Sequence, residues 1–333
     1  MPVLRGRATQ FQDRLGNHLN DMPTSEVPTS HDSHQAWERE LSIIIPAFNE
    51  EGGIALVLEA LSEQIPGAEV IVVDDASTDN TAEVAAGFGN ITLLRHSYNR
   101  GYGASLKSGM RIAGGTFLAW FDADNEHRVE DLIAMVGELT EGKLAAVIGT
   151  RLNPAPSAVR SGGKLFLRLL ARSLGASSVS DMNCGLRVFH RDAIMPYLGV
   201  LSDKFSASTT STLLMIDRKV PLRFHPVTLN RREGTSKVQF NDGLAAIALV
   251  FRIALLVAPL RLFLRAGLLF MGIGALYGVY LKLTVGGPFT TSAVVVTIFG
   301  MFLCILGLIS DQISQMRLNM ERQIADRIKA PDD

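Results

Sequence analysis

From residue 39 onward, short unbroken apolar runs alternate with stretches whose apolar positions recur every three to four residues. The runs are Leu41 to Ile45, stopped by Pro46, then "AEVIVVDDAS", "ITLLRH", "TFLAWFDAD" and "AAVIGTR". Between them lie the helical patterns Glu51 to Gln64, "STDNTAEVAAGFG" with Ser77 or Thr78 as its cap, "GYGASLKSGMRIAGG" and "VEDLIAMVGELT". Continuous apolar runs of this length are strands covered on both faces. Strands interleaved with amphipathic helices predict an α/β domain over residues 39–240, Rossmann-like, with a mostly parallel sheet and helices on both faces.

The flanks differ from this pattern. Residues 1–38 are polar and read as a mobile tail, with at most a short helix near Phe11 to Leu19; with no apolar central region, no signal peptide is expected. Residues 152–240 are less regular and rich in Arg and Lys. From Gly243 the chain turns oily. Residues 266–285 and 291–310 are each long enough to cross a bilayer, which takes about 20 residues. They predict a two-helix transmembrane hairpin over 265–312, followed by a tail over 313–333. Arg261 and Arg265 precede the pair; Arg317, Arg322, Arg327 and Lys329 follow it. The positive-inside bias therefore puts both flanks, and both termini, in the cytoplasm. The run "GLAAIALVFRIALLVAPL" could be a third span, but Arg252 at its centre would cost roughly 2.5–3.5 kcal/mol. Interfacial helices over 241–264 are the expectation instead. The small residues of "MGIGALYG" suit either close helix contact or lipid-facing filler.

Composition narrows the class. The 333 residues carry a formal net charge of −1, which gives no bulk attraction for nucleic acid. Two cysteines, Cys184 and Cys304, exclude a disulfide framework, and Cys184 reads as a small buried residue.

The chemistry concentrates where strands end. In parallel α/β sheets ligands bind beyond the carboxyl ends of strands. Asn49, Glu50, Asp74, Asp75, Asp122 and Asp124 all fall there. Asp122 and Asp124 form a D-x-D pattern that a tight turn could aim at one hard cation, Mg²⁺ or Mn²⁺, with Glu126 as a third oxygen donor. The same acids would also suit the N-terminus of the helix starting near Val129. His127 could approach such a metal or cap the helix. The basic middle could gather anions or could be a solvated face. The glycines of "NRGYGASLKSG" match no phosphate-loop pattern and read as a turn into a helix.

Taken together, "SIIIPAFNEE", "EVIVVDDASTDNT", "NRGYGASLKSGM", "FDADNEH" and "VIGTR" resemble the family 2, GT-A-fold glycosyltransferases. "DMNCGLRVF" and "RREGTSK" further resemble the polyprenyl-phosphate sugar synthases, including the dolichyl-phosphate mannose type. The resemblance covers residues 41 to about 240. It implies inverting sugar transfer from a UDP- or GDP-linked donor to undecaprenyl or dolichyl phosphate, on the cytoplasmic leaflet of what would be a bacterial inner membrane, for cell-envelope glycan synthesis.

The same resemblance implies roles for residues. Pro46, Phe48, Asn49 and Glu50 would line the nucleotide pocket, with Asp74 and Asp75 facing base and ribose. Asp122, Asp124 and Glu126 would hold Mg²⁺ or Mn²⁺ and the diphosphate. Arg151, Arg160, Arg187, Arg231, Ser236 and Lys237 would surround the acceptor phosphate and the leaving group, so that Asp122, Asp124, Arg151, Arg187, Arg231 and Lys237 form the catalytic set. Beyond donor, lipid and membrane, the partners implied are a second copy of the chain and a downstream flippase or glycosyltransferase. The family usually reads D-A-D-x-Q-H-P; here Glu126 replaces the Gln and Arg128 the Pro. The acid segment that supplies a base in sugar-acceptor relatives is not evident, since hydroxyls dominate between Asp203 and Asp217. Transfer to a glycan or lipid hydroxyl, and a catalytically silent nucleotide-sugar-binding scaffold, are the competing readings.

Overall fold

The computed structural model describes residues 37–151, 183–204, 206–230, 259–286 and 290–329. The expected N-terminal tail, Arg252 and residues 243–258 of the oily run lie outside the described residues. The chain forms two compact units, a sheet domain and a helical unit, each taken by itself.

The sheet domain opens with β1 (Leu41–Ala47), α1 (Glu51–Gln64), β2 (Glu69–Asp74), α2 (Thr81–Ala86) and β3 (Ile91–Arg95). It continues with α3 (Tyr102–Ile112), β4 (Phe117–Trp120), α4 (Val129–Glu141) and β5 (Ala146–Arg151). Then come β6 (Arg187–His190), α5 (Arg191–Ile194), a 3₁₀ turn (Met195–Tyr197), α6 (Ala207–Asp217) and β7 (Leu222–Val227). The seven strands lie in the order β3-β2-β1-β4-β6-β5-β7. All neighbours are parallel except β6, which runs against both β4 and β5.

Strand alternation divides the core into two layers. Leu41, Ile43 and Ile45 face Ile54, Leu58 and Leu61 of α1 and Leu132, Met135 and Val136 of α4. On the other face Ile44, Ile71, Trp120 and Phe189 meet Leu106 and Met110 of α3 and Met215 of α6.

Three local expectations shift. Pro46 does not stop β1, which runs on to Ala47. Ile44 accepts from Phe121 N on the β4 side, so two residues on Pro46 also faces that side, where pairing has ended at Trp120 and no donor is needed. Neither Ser77 nor Thr78 caps α2, which starts at Thr81 after Asn80. Both are committed to Asn49: Ser77 Oγ accepts from Asn49 N at 2.9 Å, and Thr78 N donates to Asn49 Oδ1 at 2.7 Å. The third is β6, whose four residues include Arg187 and His190 and carry no apolar run to announce them.

Among the described residues, the helical unit holds α7 (Pro259–Val285) and α8 (Thr291–Lys329). Pro259 through Leu264 join α7 instead of a separate interfacial helix, Pro259 being preorganised as a first helical residue. Two stretches, Pro259–Thr284 and Thr291–Met316, are apolar enough to cross a membrane, with mean hydropathy 1.7 and 2.6. Their outer faces carry uncovered residues such as Leu276, Leu283 and Phe302. Of the small residues in "MGIGALYG", Gly274 makes helix contact, with a Cβ there 2.5 Å from Thr297 Oγ1, whereas Gly272 meets nothing within 4 Å; outside that stretch a Cβ on Gly267 would sit 2.6 Å from Gly300 O. α8 continues past Ser310 because no Gly or Pro interrupts it before Pro331.

Candidate active site

Parallel pairing puts the carboxyl ends of β1, β2 and β4 on one edge of the sheet. β5 ends there too, and β6, running backwards, starts there, with Arg187 beside Trp120. Thus Asn49, Asp75, Asp122, Arg151 and the Cys184–Gly185 turn share an edge although they are far apart in sequence. Three loops on this edge each hold one non-glycine residue in the left-handed region: Asn49 (φ 53), Ala76 (φ 62) and Asn125 (φ 58). Such residues cost of order 1–3 kcal/mol and persist only when their surroundings dictate them.

Beyond β1 and β2, two loops lock together. Glu50 N donates to Thr81 Oγ1 at 2.8 Å, and Asn80 N donates to Glu51 Oε2 at 3.1 Å. Phe48 is exposed, and Asn49 and Glu50 are half-exposed. Pro46, Asp74 and Asp75 are buried instead. Asp74 accepts from Ser77 N at 3.2 Å and pairs with Arg95 at 3.4 Å. Asp75 accepts from Arg100 N (2.8 Å), Gly101 N (2.7 Å) and His96 Nδ1 (2.7 Å). The two acids therefore brace the loops of the edge from beneath.

Asp122 is the centre of the other end. Tyr102 Oη donates to its Oδ1 at 2.9 Å. His127 Nε2 lies 3.4 Å from its Oδ2, so the tautomer protonated on Nε2 faces the carboxylate. Gly185 presses so close that a Cβ there would meet Asp122 Oδ2 at 1.9 Å. A quarter of the Asp122 side chain stays open. Burial pushes its carboxyl up, but the bond and charge of His127, the Tyr102 hydroxyl and the Arg151 charge outweigh this and hold it below the ordinary carboxylate value. Asp124 is nearly buried and accepts from Glu126 N at 3.1 Å. Glu126 is half-buried, and its carbonyl accepts from Asn230 N at 2.9 Å. The first turn of α1 supports this segment: a Cβ on Gly53 would stand 2.5 Å from Ala123 O.

Arg187 differs from expectation in its depth. It has no exposed surface; Nε donates to Cys184 O at 2.9 Å, and Nη1 donates to Ser211 Oγ and Thr212 Oγ1 at 3.1 and 2.6 Å. It also stacks 5.8 Å from the Trp120 ring. It lies in the floor of the edge as a fixed positive charge, not at its open surface. Arg151 is half-buried at the end of β5. Arg160, Arg231, Ser236 and Lys237 lie outside the described residues. Sequence reasoning missed Tyr102 and Gly185 as partners of Asp122; "GYG" and "NCG" carried only turn signals.

Among the described residues, no three His, Cys, Asp or Glu side chains converge as a ready metal cage. That donor set suits a cation arriving with its ligand, because Mg²⁺ takes one or two carboxylates and completes its shell with phosphate oxygens and water.

An α/β sheet with an acid turn on its carboxyl edge, in a chain that also carries an apolar helical pair, defines a membrane-associated enzyme of the nucleotide-sugar-handling class. Residues 42–197 match the sequence model of Glycosyl transferase family 2, and residues 258–316 match that of the GtrB C-terminal hairpin. The chain thus carries a family 2 glycosyltransferase domain followed by a GtrB-type C-terminal hairpin. It is 29% identical over 260 residues to the low-salt glycan biosynthesis hexosyltransferase Agl6 of Haloferax volcanii, covering 74% of this chain and 61% of that protein. It is 25% identical over 308 residues to the undecaprenyl-phosphate 4-deoxy-4-formamido-L-arabinose transferase of Serratia proteamaculans, covering 84% and 89%. In fold it is similar to glucosyl-3-phosphoglycerate synthase of Mycobacterium tuberculosis, solved with Mn²⁺, UDP-glucose and phosphoglyceric acid: TM-score 0.56, 17% identity, 69% of this chain and 85% of that one.

Proposed function

We propose that the protein transfers a sugar from a UDP- or GDP-linked donor to a polyprenyl phosphate at the membrane surface, inverting the anomeric carbon. A lipid phosphate oxygen attacks that carbon; the bond to the donor diphosphate breaks, and its electron pair leaves with the nucleoside diphosphate. The product is a polyprenyl-phosphate sugar.

One observation carries this reading: among the described residues, the first turns of α6 offer hydroxyls and no carboxylate. Asp203 is taken up by Lys107. Asp217 closes α6, an 11-residue helix, about 15 Å along its axis from the first turn. The first turns of α6 present only buried hydroxyls, Ser208 to Thr212. A sugar hydroxyl must lose its proton as it attacks. A phosphate monoester, with a second pKa near 6, is already anionic at neutral pH.

On this reading Phe48, Asn49 and Glu50 meet the nucleotide, while Asp74 and Asp75 hold their loops. Asp122 and Asp124, with Glu126, would hold Mg²⁺ or Mn²⁺. That ion supplies charge neutralisation to the departing diphosphate. Arg151 offsets the charge of the approaching phosphate, joined by Arg160, Arg231, Ser236 and Lys237, while Arg187 adds positive potential from below. The hairpin anchors the chain at head-group depth, with the positive flanks of the spans on the cytoplasmic side of a bacterial inner membrane.

The test is transfer of labelled sugar from UDP- and GDP-sugars, with Mg²⁺ or Mn²⁺, to undecaprenyl or dolichyl phosphate in nanodiscs. Labelled lipid phosphosugar is expected, with Asp203→Asn and Asp217→Asn keeping the wild-type kcat. Labelling only of a hydroxyl acceptor, or loss of turnover in either Asn variant, would overturn the reading.

A further inference from the structure

We infer that Tyr102 is a positioning residue for this reaction: its hydroxyl takes up one oxygen of Asp122, so that the carboxylate meets a divalent cation through a single oxygen. The inference rests on the proposed role of Asp122.

The geometry runs from one end of the edge to the other. Asp75 accepts the backbone N–H groups of Arg100 and Gly101 and so fixes the turn that starts α3. Gly101 adopts φ 103, a conformation that side chains disfavour. The next residue is Tyr102, the first of α3. Gly103 then lies so near Ser202 O that a Cβ would sit 2.0 Å from it, which holds this end of α3 against the segment leading into α6. From that position the phenol reaches across to Asp122 Oδ1 at 2.9 Å. The Ser208 side chain of α6 lies beside the phenol and acts on it against the effect of Asp122. A phenol is protonated at neutral pH, so the hydroxyl remains a donor to Oδ1. With Oδ1 bonded to Tyr102 and Oδ2 facing His127, an ion that closed on both oxygens would compete with both groups, and approach through a single oxygen disturbs them least. Ca²⁺ readily takes carboxylates bidentately in shells of six to eight oxygens, whereas Mg²⁺ demands a compact octahedron. Tyr102 thereby favours the smaller ions.

Nucleotide binding to the full chain in nanodiscs tests this without turnover, by calorimetry with UDP or GDP in Mg²⁺, Mn²⁺, Ca²⁺ or EDTA. Wild type should bind more tightly with Mg²⁺ or Mn²⁺ than with Ca²⁺ or EDTA. Tyr102→Phe, which removes only the hydroxyl, should weaken the Mg²⁺-supported affinity about tenfold, a change of ~1.4 kcal/mol. It should leave EDTA binding unchanged and narrow the Mg²⁺-over-Ca²⁺ preference. Ser208→Ala should move the same ratio less, in the same direction, and serves if the Phe variant does not fold. A folded Tyr102→Phe with the wild-type ion ratio, or an unchanged ratio in Ser208→Ala should the Phe variant not fold, overturns the role of Tyr102 alone. A wild type indifferent to metal overturns the assignment of Asp122 as well.

Discussion

Replacing Gly185 with alanine puts a methyl group where the Asp122 carboxylate now rests. The added Cβ would stand 1.9 Å from Oδ2, 2.5 Å from Cγ and 2.7 Å from Oδ1. Contacts below 3.0 Å are essentially never tolerated, so the carboxylate must retreat by about 1 Å. It has little room: Tyr102 holds one oxygen, and His127 faces the other. A misplacement of ~1 Å in a reacting constellation costs about 10²-fold in rate, or ~2.7 kcal/mol of transition-state stabilisation. Overpacking alone costs stability of about 1–3 kcal/mol, so the two effects need separating.

Gly149→Ala is the control. Its Cβ would meet Cys184 Sγ at 2.8 Å and Leu186 O at 3.0 Å, crowding the same β5–β6 seam without touching Asp122. Initial rates of lipid phosphosugar formation, measured with melting temperatures, should show Gly185→Ala about 100-fold down in kcat/KM. Gly149→Ala should lose comparable stability and far less activity. Gly52→Ala, which meets nothing within 4 Å, should change neither. Equal rate losses at positions 185 and 149, or wild-type activity in a folded Gly185→Ala, would refute the placement of Asp122 at the reacting centre.

Arg187→Ala should cost about 2–4 kcal/mol, read as a lowered urea midpoint, because it empties a fully buried site and takes the donor from the Cys184 carbonyl and from Ser211 and Thr212, whose hydroxyls keep only their bonds to Ser208 O. Asp203 is held below the ordinary carboxylate value by its bond with Lys107, then by the charges of Lys107, Arg100 and Arg111. A depressed folded pKa adds stability above the unfolded value near 3.9 and loses it as pH falls through the folded value. The melting-temperature gap between wild type and Asp203→Asn should therefore be present at pH 6 and close below about pH 3.9, and it should be small because the carboxylate is largely exposed. In the hairpin, Gly300→Leu should drive α7 and α8 apart, since a Cβ would meet Met271 N at 2.6 Å. Thermal stability in detergent should fall by about 1–3 kcal/mol or more, whereas Gly272→Leu, with nothing within 4 Å, should be tolerated.

The first five strands and their helices were legible because four are plain buried apolar runs, from Leu41 to Ile45 through Ala146 to Ile148, and the half-exposed edge strand β3 still shows Ile91, Leu93 and Leu94. Their shared edge then followed from parallel pairing, and with it the meeting of Asn49, Asp75 and Asp122. The second half was not legible for a physical reason. β6 carries an arginine where it starts at the site edge and, at its far end, a histidine that caps α5. α6 is buried on nearly every side, so it shows no amphipathic period and looks like a serine- and threonine-rich loop. Asp74 and Asp75 read correctly as strand-end acids, but sequence could not say that backbone N–H groups from a distant turn would claim Asp75, or that Ser77 N and Arg95 would take Asp74. Tyr102 was hidden for the same reason: its partner lies on another strand, and nothing in "NRGYGASLKSG" states how far a phenol will reach.

The hydroxyl-lined floor has an electrostatic logic under the proposed chemistry. Two anions, a lipid phosphate and a nucleoside diphosphate, must be brought together above Asp122 and Asp124. Each further carboxylate about 6 Å from the incoming phosphate would raise its energy by ~3 kcal/mol at an effective dielectric constant of 20. An enzyme acting on a neutral hydroxyl needs such a group for proton removal; an enzyme acting on a phosphate gains nothing from it. Serine and threonine in α6 satisfy the buried guanidinium of Arg187 as neutral acceptors, so its positive charge is not cancelled by a local anion from that helix. Hydroxyls in place of acids beneath the site therefore serve the same end as Arg151 at its rim: the potential stays positive where the nucleophile arrives already charged.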